Sequence, residues 1–407
     1  MSYTYKKSIF APITFPILPT INGMTISTSN SGIKYQDRDD LLCVRFDTPA
    51  VTAAVFTKSS MPSAAIDWCR HCMSQSGLTS CLVVNAGNAN AFTGKAGALC
   101  CKNVAQSLSV HEKCPETQIF QASTGVIGEK LDGNILAKKI IQTTKNCTFE
   151  AAAKSIMTTD TFAKGFGETF DINGTPVSIS GIAKGSGMIA PNMGTMLAFI
   201  FTDADIEQEV LQSLVCEITE TSFNAITVDG DTSTSDTLAV FATGKSLVKI
   251  QSSDDISIFK QALNRVMTDL ALQIVKDGEG LTKFVTITVQ QAKDNLSARK
   301  IGLSVANSPL VKTAIAGEDP NWGRIIAAIG KSGEPADRDK TCILIGGMMI
   351  AEQGEAVENY NETPVVAYMK HSHIEITVLV GVGEGEAVVY TTDLTHDYID
   401  INADYRS

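Results

Sequence analysis

No stretch of this chain approaches the roughly 18 to 20 uninterrupted apolar residues that a membrane-spanning helix needs, which argues against an integral membrane protein. The run at 8–21 follows Lys6 and Lys7 in the manner of an export signal, but Pro12, Pro16 and Pro19 break any helix there and no small-residue cleavage site stands out. The expectation is an intracellular, cytoplasmic protein. Basic residues are in deficit, 33 against 44 acidic ones for a net charge of −11, so neither nucleic acid nor an anionic membrane surface is an expected partner. Cysteines number ten, too sparse and irregular for a disulfide framework. Cys69 and Cys72, with His71 between them, form one C-x-x-C that lacks the second ligand pair of a structural zinc site. The five histidines compose neither a nucleophilic triad nor a metal cage, and Asp229, Asp231 and Asp236 depart from the EF-hand spacing, so that cluster is read as structural or as support behind the residues that touch substrate. No metal and no cofactor is expected.

What is present is the composition of an ordinary globular protein, 44% hydrophobic and 19% charged, over 407 residues that a length prior divides into two or three folding units. Apolar periodicity predicts strands at 51–56, 81–85, 177–182, 196–201, 282–289 and 342–345. It predicts helices at 98–110, 134–141, 149–157, 205–221 and 256–276. The segments 373–380 and 387–392 read as the arms of a hairpin joined through the glycine-rich 381–385. That glycine run follows one strand and precedes another instead of opening a helix, which makes it a turn and not a dinucleotide fingerprint.

The strongest functional signal lies at 184–205, K-G-S-G-M-I-A-P-N-M-G-T-M-L-A-F-I-F-T-D-A-D. Thr195 stands after a Gly/Pro/Asn-rich turn and directly before an apolar run, so its hydroxyl is held on a rigid element and reached through a bend. Threonine is a poor nucleophile until a base takes its proton. As the first residue of a chain it has such a base in its own α-amine, which titrates at about 7.7 to 8.0. Reaching that state requires cutting the bond between Gly194 and Thr195, and a glycine there leaves the carbonyl under attack unshielded. On the residues alone, a loop that merely enters a core strand is the plainer reading.

The segment resembles the self-cleavage and nucleophile motif of the ornithine acetyltransferase family, also called glutamate N-acetyltransferase, of arginine biosynthesis. Further blocks match in the same order: N-A-G-N-A-N-A at 85–91, S-T-G-V-I-G at 123–128, M-T-T-D-T at 157–161 and T-V-D-G-D-T-S-T-S-D at 227–236. Then come K-D-G-E-G-L-T-K-F at 276–284, E-D-P-N-W-G-R at 318–324 and the closing T-T-D-L-T-H-D-Y-I-D-I-N-A-D-Y-R-S at 391–407. The resemblance runs almost end to end.

The resemblance implies that Thr195 is the nucleophile, with the Thr124 hydroxyl and the Gly125 N–H as the oxyanion hole. It implies substrate contacts at Lys184, Thr195, Glu279, Asn402 and Ser407, and at Thr161 or, in its place, Thr159. Family members commonly have Ala before the nucleophile where this chain has Gly194, and cleavage is expected to survive the less hindered residue. If Ser407 lines the active site, the tail must be docked, and a short extension should impair binding. The implied products are fragments 1–194 and 195–407 that stay associated as a pair of each, α2β2. The implied architecture is an α/β sandwich of stacked β-sheets covered by helices, with a second α/β unit. The implied reaction moves acetyl from N-acetylornithine to glutamate by a ping-pong route, and acetyl-CoA is a possible co-substrate. Two rivals differ in kind: a self-processing N-terminal-nucleophile aminopeptidase or amidohydrolase, in which water accepts the acyl group, and an inactive relative acting as a binding protein.

Overall fold

The computed structural model describes residues 6–190 and 196–404. Its larger unit opens with β1 (Met24–Ser29), β2 (Leu41–Phe56), α1 (Ala64–Gln75), β3 (Leu78–Asn88), α2 (Gly94–Glu112), β4 (Ile119–Val126), α3 (Gly133–Gln142) and α4 (Phe149–Ser155). It continues through β5 (Lys164–Ile172), β6 (Thr175–Lys184), β7 (Leu197–Thr202), β8 (Asp205–Ile206), α5 (Gln208–Thr219), β9 (Thr237–Ala242), β10 (Lys249–Ile250) and α6 (Ser253–Val275).

Among the described residues the main sheet runs β4-β3-β2-β9-β7-β6-β5, with β1 added along the first half of β2. Its central strands, β7 and β9, are parallel neighbours buried along their whole length, because they carry apolar residues on both faces. The 16-residue β2 makes this possible: its first part pairs with β3, its last part with β9, and the register shifts between Arg45 and Ala50. The sheet coils there until its β4 end faces the β9 strand. Phe120 of β4 lies 5.7 Å, ring centre to ring centre, from Phe241 of β9 although two strands separate them in the sheet order. Alternate residues thus divide cleanly. Leu42, Val44, Leu82, Val84, Phe199 and Phe241 fill the inner layer. Leu41, Cys43, Cys81 and Val83 turn outward to α2 and α3, and Ala198, Ile200, Leu238 and Val240 turn outward to α5 and α6. The outcome is helix, sheet, sheet, helix, the sandwich expected.

The second unit contains β11 (Phe284–Ala292), α7 (Asn295–Ala306), α8 (Pro309–Ala316), α9 (Trp322–Gly330), β12 (Cys342–Ile345), β13 (Met348–Glu352) and β14 (Glu355–Ala356). It ends in α10 (Thr363–Tyr368), β15 (His373–Leu379), β16 (Gly385–Thr392) and α11 (His396–Asp404). Its sheet order is β14-β13-β12-β15-β11-β16, with a core between one sheet face and α7 to α10.

Two expectations are corrected. The arms 373–380 and 387–392 are strands but not a hairpin: β11 lies between them, parallel to β15 and antiparallel to β16. The helix expected from 205 begins at Gln208, because Asp205 and Ile206 pair in parallel with Lys249 and Ile250. The C-x-x-C cysteines lie buried in α1, where Cys69 Sγ donates to the Gln121 carbonyl at 2.9 Å. No helix of the described residues is long and apolar enough to cross a membrane.

Candidate active site

The C-terminal ends of β3, β4 and β6 meet the N-terminal ends of β7 and β9 at one end of the sandwich. There the 123–128 block is held by the 85–91 block: Ser123 Oγ donates to Asn85 Oδ1 at 2.6 Å, and Asn85 Nδ2 to the Asn88 carbonyl at 2.8 Å. Gly125 has φ +130°, and a Cβ there would stand 2.3 Å from the Gly87 carbonyl carbon and 2.6 Å from Asn88 N. Only glycine lets the two chains approach so closely. Sequence reading recognised the 85–91 block as a motif but assigned Asn85 and Asn88 no task; they brace the proposed oxyanion turn.

Lys184 ends β6 and reaches across the sandwich, its Nζ donating to Thr124 Oγ1 at 3.2 Å, with both side chains buried. Burial lowers the Lys184 pKa from the ordinary lysine value, against the opposing pull of Asp160, Asp236 and Glu279. Among the described residues no carboxylate lies within ion-pair distance of this ammonium. A hydroxyl that accepts from an ammonium is itself a better donor, which is the polarisation an oxyanion-hole role for Thr124 would use.

Glu279 follows α6 in the Asp-Gly-Glu-Gly turn. Its N–H donates to the Ser186 carbonyl at 3.0 Å and its Oε2 accepts from Asn402 Nδ2 of α11 at 2.8 Å, which brings Glu279 and Asn402 together. A Cβ on Gly187 would lie 2.3 Å from this carboxylate, so the glycine opens its seat. Burial raises the Glu279 pKa above the ordinary value, partly offset by Asn402, Thr159 and Lys184. A carboxylate that binds a cationic amine must be ionised. KM for a cationic substrate is therefore expected to climb as pH falls through a value above the usual glutamate range, and a Glu279→Gln protein should lose that acidic limb; a wild-type KM flat across it would exclude this role.

The hydroxyls of 157–161 divide. Thr161 Oγ1 donates to Asp277 Oδ1 and accepts from Ser8 N at 3.0 Å, so it is occupied within the fold. Thr159 Oγ1 lies 2.7 Å from Ser186 Oγ, on the Glu279 side. Both flanks of 191–195 are pinned by the 227–236 block: Asp229 accepts from Met188 N at 2.6 Å and Ile189 N at 2.9 Å, and fully buried Asp236 accepts from Met196 N at 2.8 Å. Asp229 and Asp236 thus hold backbone. Gly194, Thr195 and Ser407 lie outside the described residues.

The buried Lys184 ammonium and the Glu279 carboxylate are the opposite charges that a small zwitterion would need, and the Thr124–Gly125 turn offers the donors that acyl transfer would need. Those are the requirements of an acyl-transferring enzyme that acts on amino acids. Curated relatives include the arginine biosynthesis bifunctional protein ArgJ of Agrobacterium fabrum, 50% identical over 98% of this chain and 99% of that protein. The protein of the same name from Gluconobacter oxydans is 51% identical over 96% and 94%. A crystal structure of the arginine biosynthesis bifunctional protein from Bacillus halodurans aligns at a TM-score of 0.50 and 40% identity, covering 52% of this chain and 100% of that one. The ArgJ family model matches residues 25–407, and the chain belongs to that family. It is accordingly an acyltransferase of arginine biosynthesis, of the ornithine acetyltransferase type expected from its motifs.

Proposed function

We propose that the chain cuts itself between Gly194 and Thr195 and that the freed Thr195 carries acetyl from N2-acetylornithine to glutamate. In the cut, Thr195 Oγ attacks the Gly194 carbonyl carbon, the amide C–N bond breaks, and water hydrolyses the resulting ester. Gly194 then ends in a carboxylate and Thr195 begins with an α-amine. In the first half-reaction that amine takes the Oγ proton as Oγ attacks the acetyl carbonyl. Thr124 Oγ–H and Gly125 N–H receive the developing oxyanion, and ornithine leaves with the proton held by the α-ammonium. Glutamate's amine then attacks the acetyl ester, and Thr195 is restored. Lys184 takes a substrate carboxylate and Glu279, steadied by Asn402, takes the ornithine amine. Thr159 is the better-placed hydroxyl of the 157–161 block for a substrate contact, and Ser407 is a further proposed one.

The observation that carries this reading is the Lys184 ammonium, buried without a carboxylate partner among the described residues and bonded to the Thr124 hydroxyl. A denaturing mass spectrum before and after exposure to N-acetylornithine tests it. Two pieces meeting at Gly194/Thr195, with one acetyl gained only on 195–407, are expected. An intact, unmodified chain would return the inactive binding relative to first place. Comparing hydrolysis with transfer on the same donor separates the transferase from the aminopeptidase-type rival. An acetyl thioester would load Thr195 with the same acetyl, so acetyl-CoA in place of N-acetylornithine asks whether this chain has a second donor. Cytoplasmic location and an α2β2 assembly are parts of the same proposal.

A further inference from the structure

The chain closes a bridge of three fully buried charges beside this site, and the reaction makes no use of it. Lys164, at the start of β5, donates from Nζ to Asp160 Oδ1 at 2.6 Å and to Asp277 Oδ2 at 2.6 Å, and all three side chains are wholly inaccessible. Burial alone would discharge such a lysine, but the two carboxylates outweigh it and hold the ammonium above its ordinary pKa. A buried ion pair contributes little net stability compared with well-packed apolar residues. What it does supply is placement, since short charge-assisted bonds in a water-free interior leave little freedom.

The elements it joins are those that present the substrate contacts. Asp160 Oδ1 also accepts from Gly185 N at 2.6 Å, the residue next to Lys184. Asp277 also accepts from Thr161 N at 2.9 Å and from Thr161 Oγ1, which locks the 157–161 turn to the end of α6. Glu279 comes two residues after Asp277, and Thr159 one residue before Asp160. One ammonium therefore ties together three chain segments from which Lys184, Glu279 and Thr159 project.

We propose that Lys164, through Asp160 and Asp277, is a positioning residue of the amino-acid pocket, fixing the Lys184 segment against the Glu279 turn. This rests on the reading of Lys184 and Glu279 given above. Replacing Lys164 alone leaves two carboxylates facing each other in a dry interior and threatens the fold, so the test is a neutral replacement of the whole bridge, Asp160→Asn with Lys164→Met and Asp277→Asn. The single Asp277→Asn protein, which keeps the Asp160–Lys164 pair, serves beside it.

Melting temperature and steady-state kinetics are measured for both against wild type. KM for N-acetylornithine and for glutamate is expected to rise about tenfold or more in the triple protein and severalfold in Asp277→Asn. At saturating donor, kcat and acetyl loading of the 195–407 piece should fall by clearly less than KM rises, because Thr195 and Gly125 are untouched and only the Lys184 bond to Thr124 depends on the displaced segment. A folded triple or single variant with wild-type KM for both substrates, whatever its melting temperature, overturns the proposal and leaves the bridge a structural element. If the triple protein does not fold, the Asp277→Asn KM decides alone. Wild type that neither cleaves nor takes acetyl would instead strike the underlying functional reading, so the two failures are distinguishable.

Discussion

A Thr195→Ala protein is expected to appear in a denaturing mass spectrum as one chain of 43.4 kDa, with no acetyl gained from N-acetylornithine and turnover reduced by about 10⁴-fold or more. The effect is large because one hydroxyl serves twice, first on the Gly194 carbonyl and then on the acetyl carbonyl. Thr195→Ser keeps an attacking oxygen and an α-amine, so it should cleave and transfer at reduced rates. Complete cleavage in Thr195→Ala would place the cutting nucleophile elsewhere and sink the proposal. The fold explains why wild type should behave as one particle after cutting. β6 from the first piece pairs with β7 from the second from Ile179↔Thr202 to Lys184↔Leu197, and β2 from the first pairs with β9 from the second. Both pairings lie inside the most deeply buried part of the sandwich. Separation therefore requires unfolding, and native size-exclusion should show both pieces travelling together while denaturing analysis separates them.

The parts of the site legible in the sequence are those that stand in the motifs of the family resemblance. Gly125 was named through that resemblance, and the fold supplies the physical reason for glycine there, φ +130° and a close approach to the Gly87–Asn88 strand. Lys184, Glu279 and Asn402 stood in short motifs, and the fold brings Lys184 to Thr124 and Asn402 to Glu279. The strand periods at β6, β7 and β11 gave element types correctly, because alternation and apolar runs report which faces are buried. They do not report which strand lies alongside. For that reason β15 and β16 read as a hairpin although β11 separates them in the sheet. The acidic start of the stretch from 205 suited a helix N-terminus, and the competing two-residue pairing with β10 rests on contacts more than forty residues away in sequence. Lys164 drew no notice for a similar reason. Its partner Asp277 is 113 residues distant, and a lone lysine at a strand start looks like a surface residue until the fold buries it. Asp229 and Asp236, set aside as structural, do structural work at a telling place, since they grip the backbone on either side of 191–195.

Lys184→Met should leave cleavage and fold largely in place while lowering kcat/KM for N-acetylornithine by about 10² to 10³, the consequence of removing one partner of a buried, hydrogen-bonded charge pair. Two losses combine. The substrate carboxylate meets a thioether instead of an ammonium, and Thr124 Oγ loses the donor at 3.2 Å that polarises it towards the oxyanion. The first loss raises KM and the second lowers kcat, so a change in both separates this role from one of binding alone. pH gives an independent check with a definite sign. The Lys184 pKa is lowered by burial, and only its protonated form holds a carboxylate, so binding should weaken as pH rises through a value below that of an ordinary lysine. Glu279 is shifted the opposite way, so its own limb falls at the acid side and the window in which both are charged is narrowed from both ends. In Lys184→Met the alkaline limb of KM should vanish while the acidic one persists. Unchanged kcat/KM, or an alkaline limb retained in full, would show that the ammonium bonded to Thr124 has no part in holding substrate.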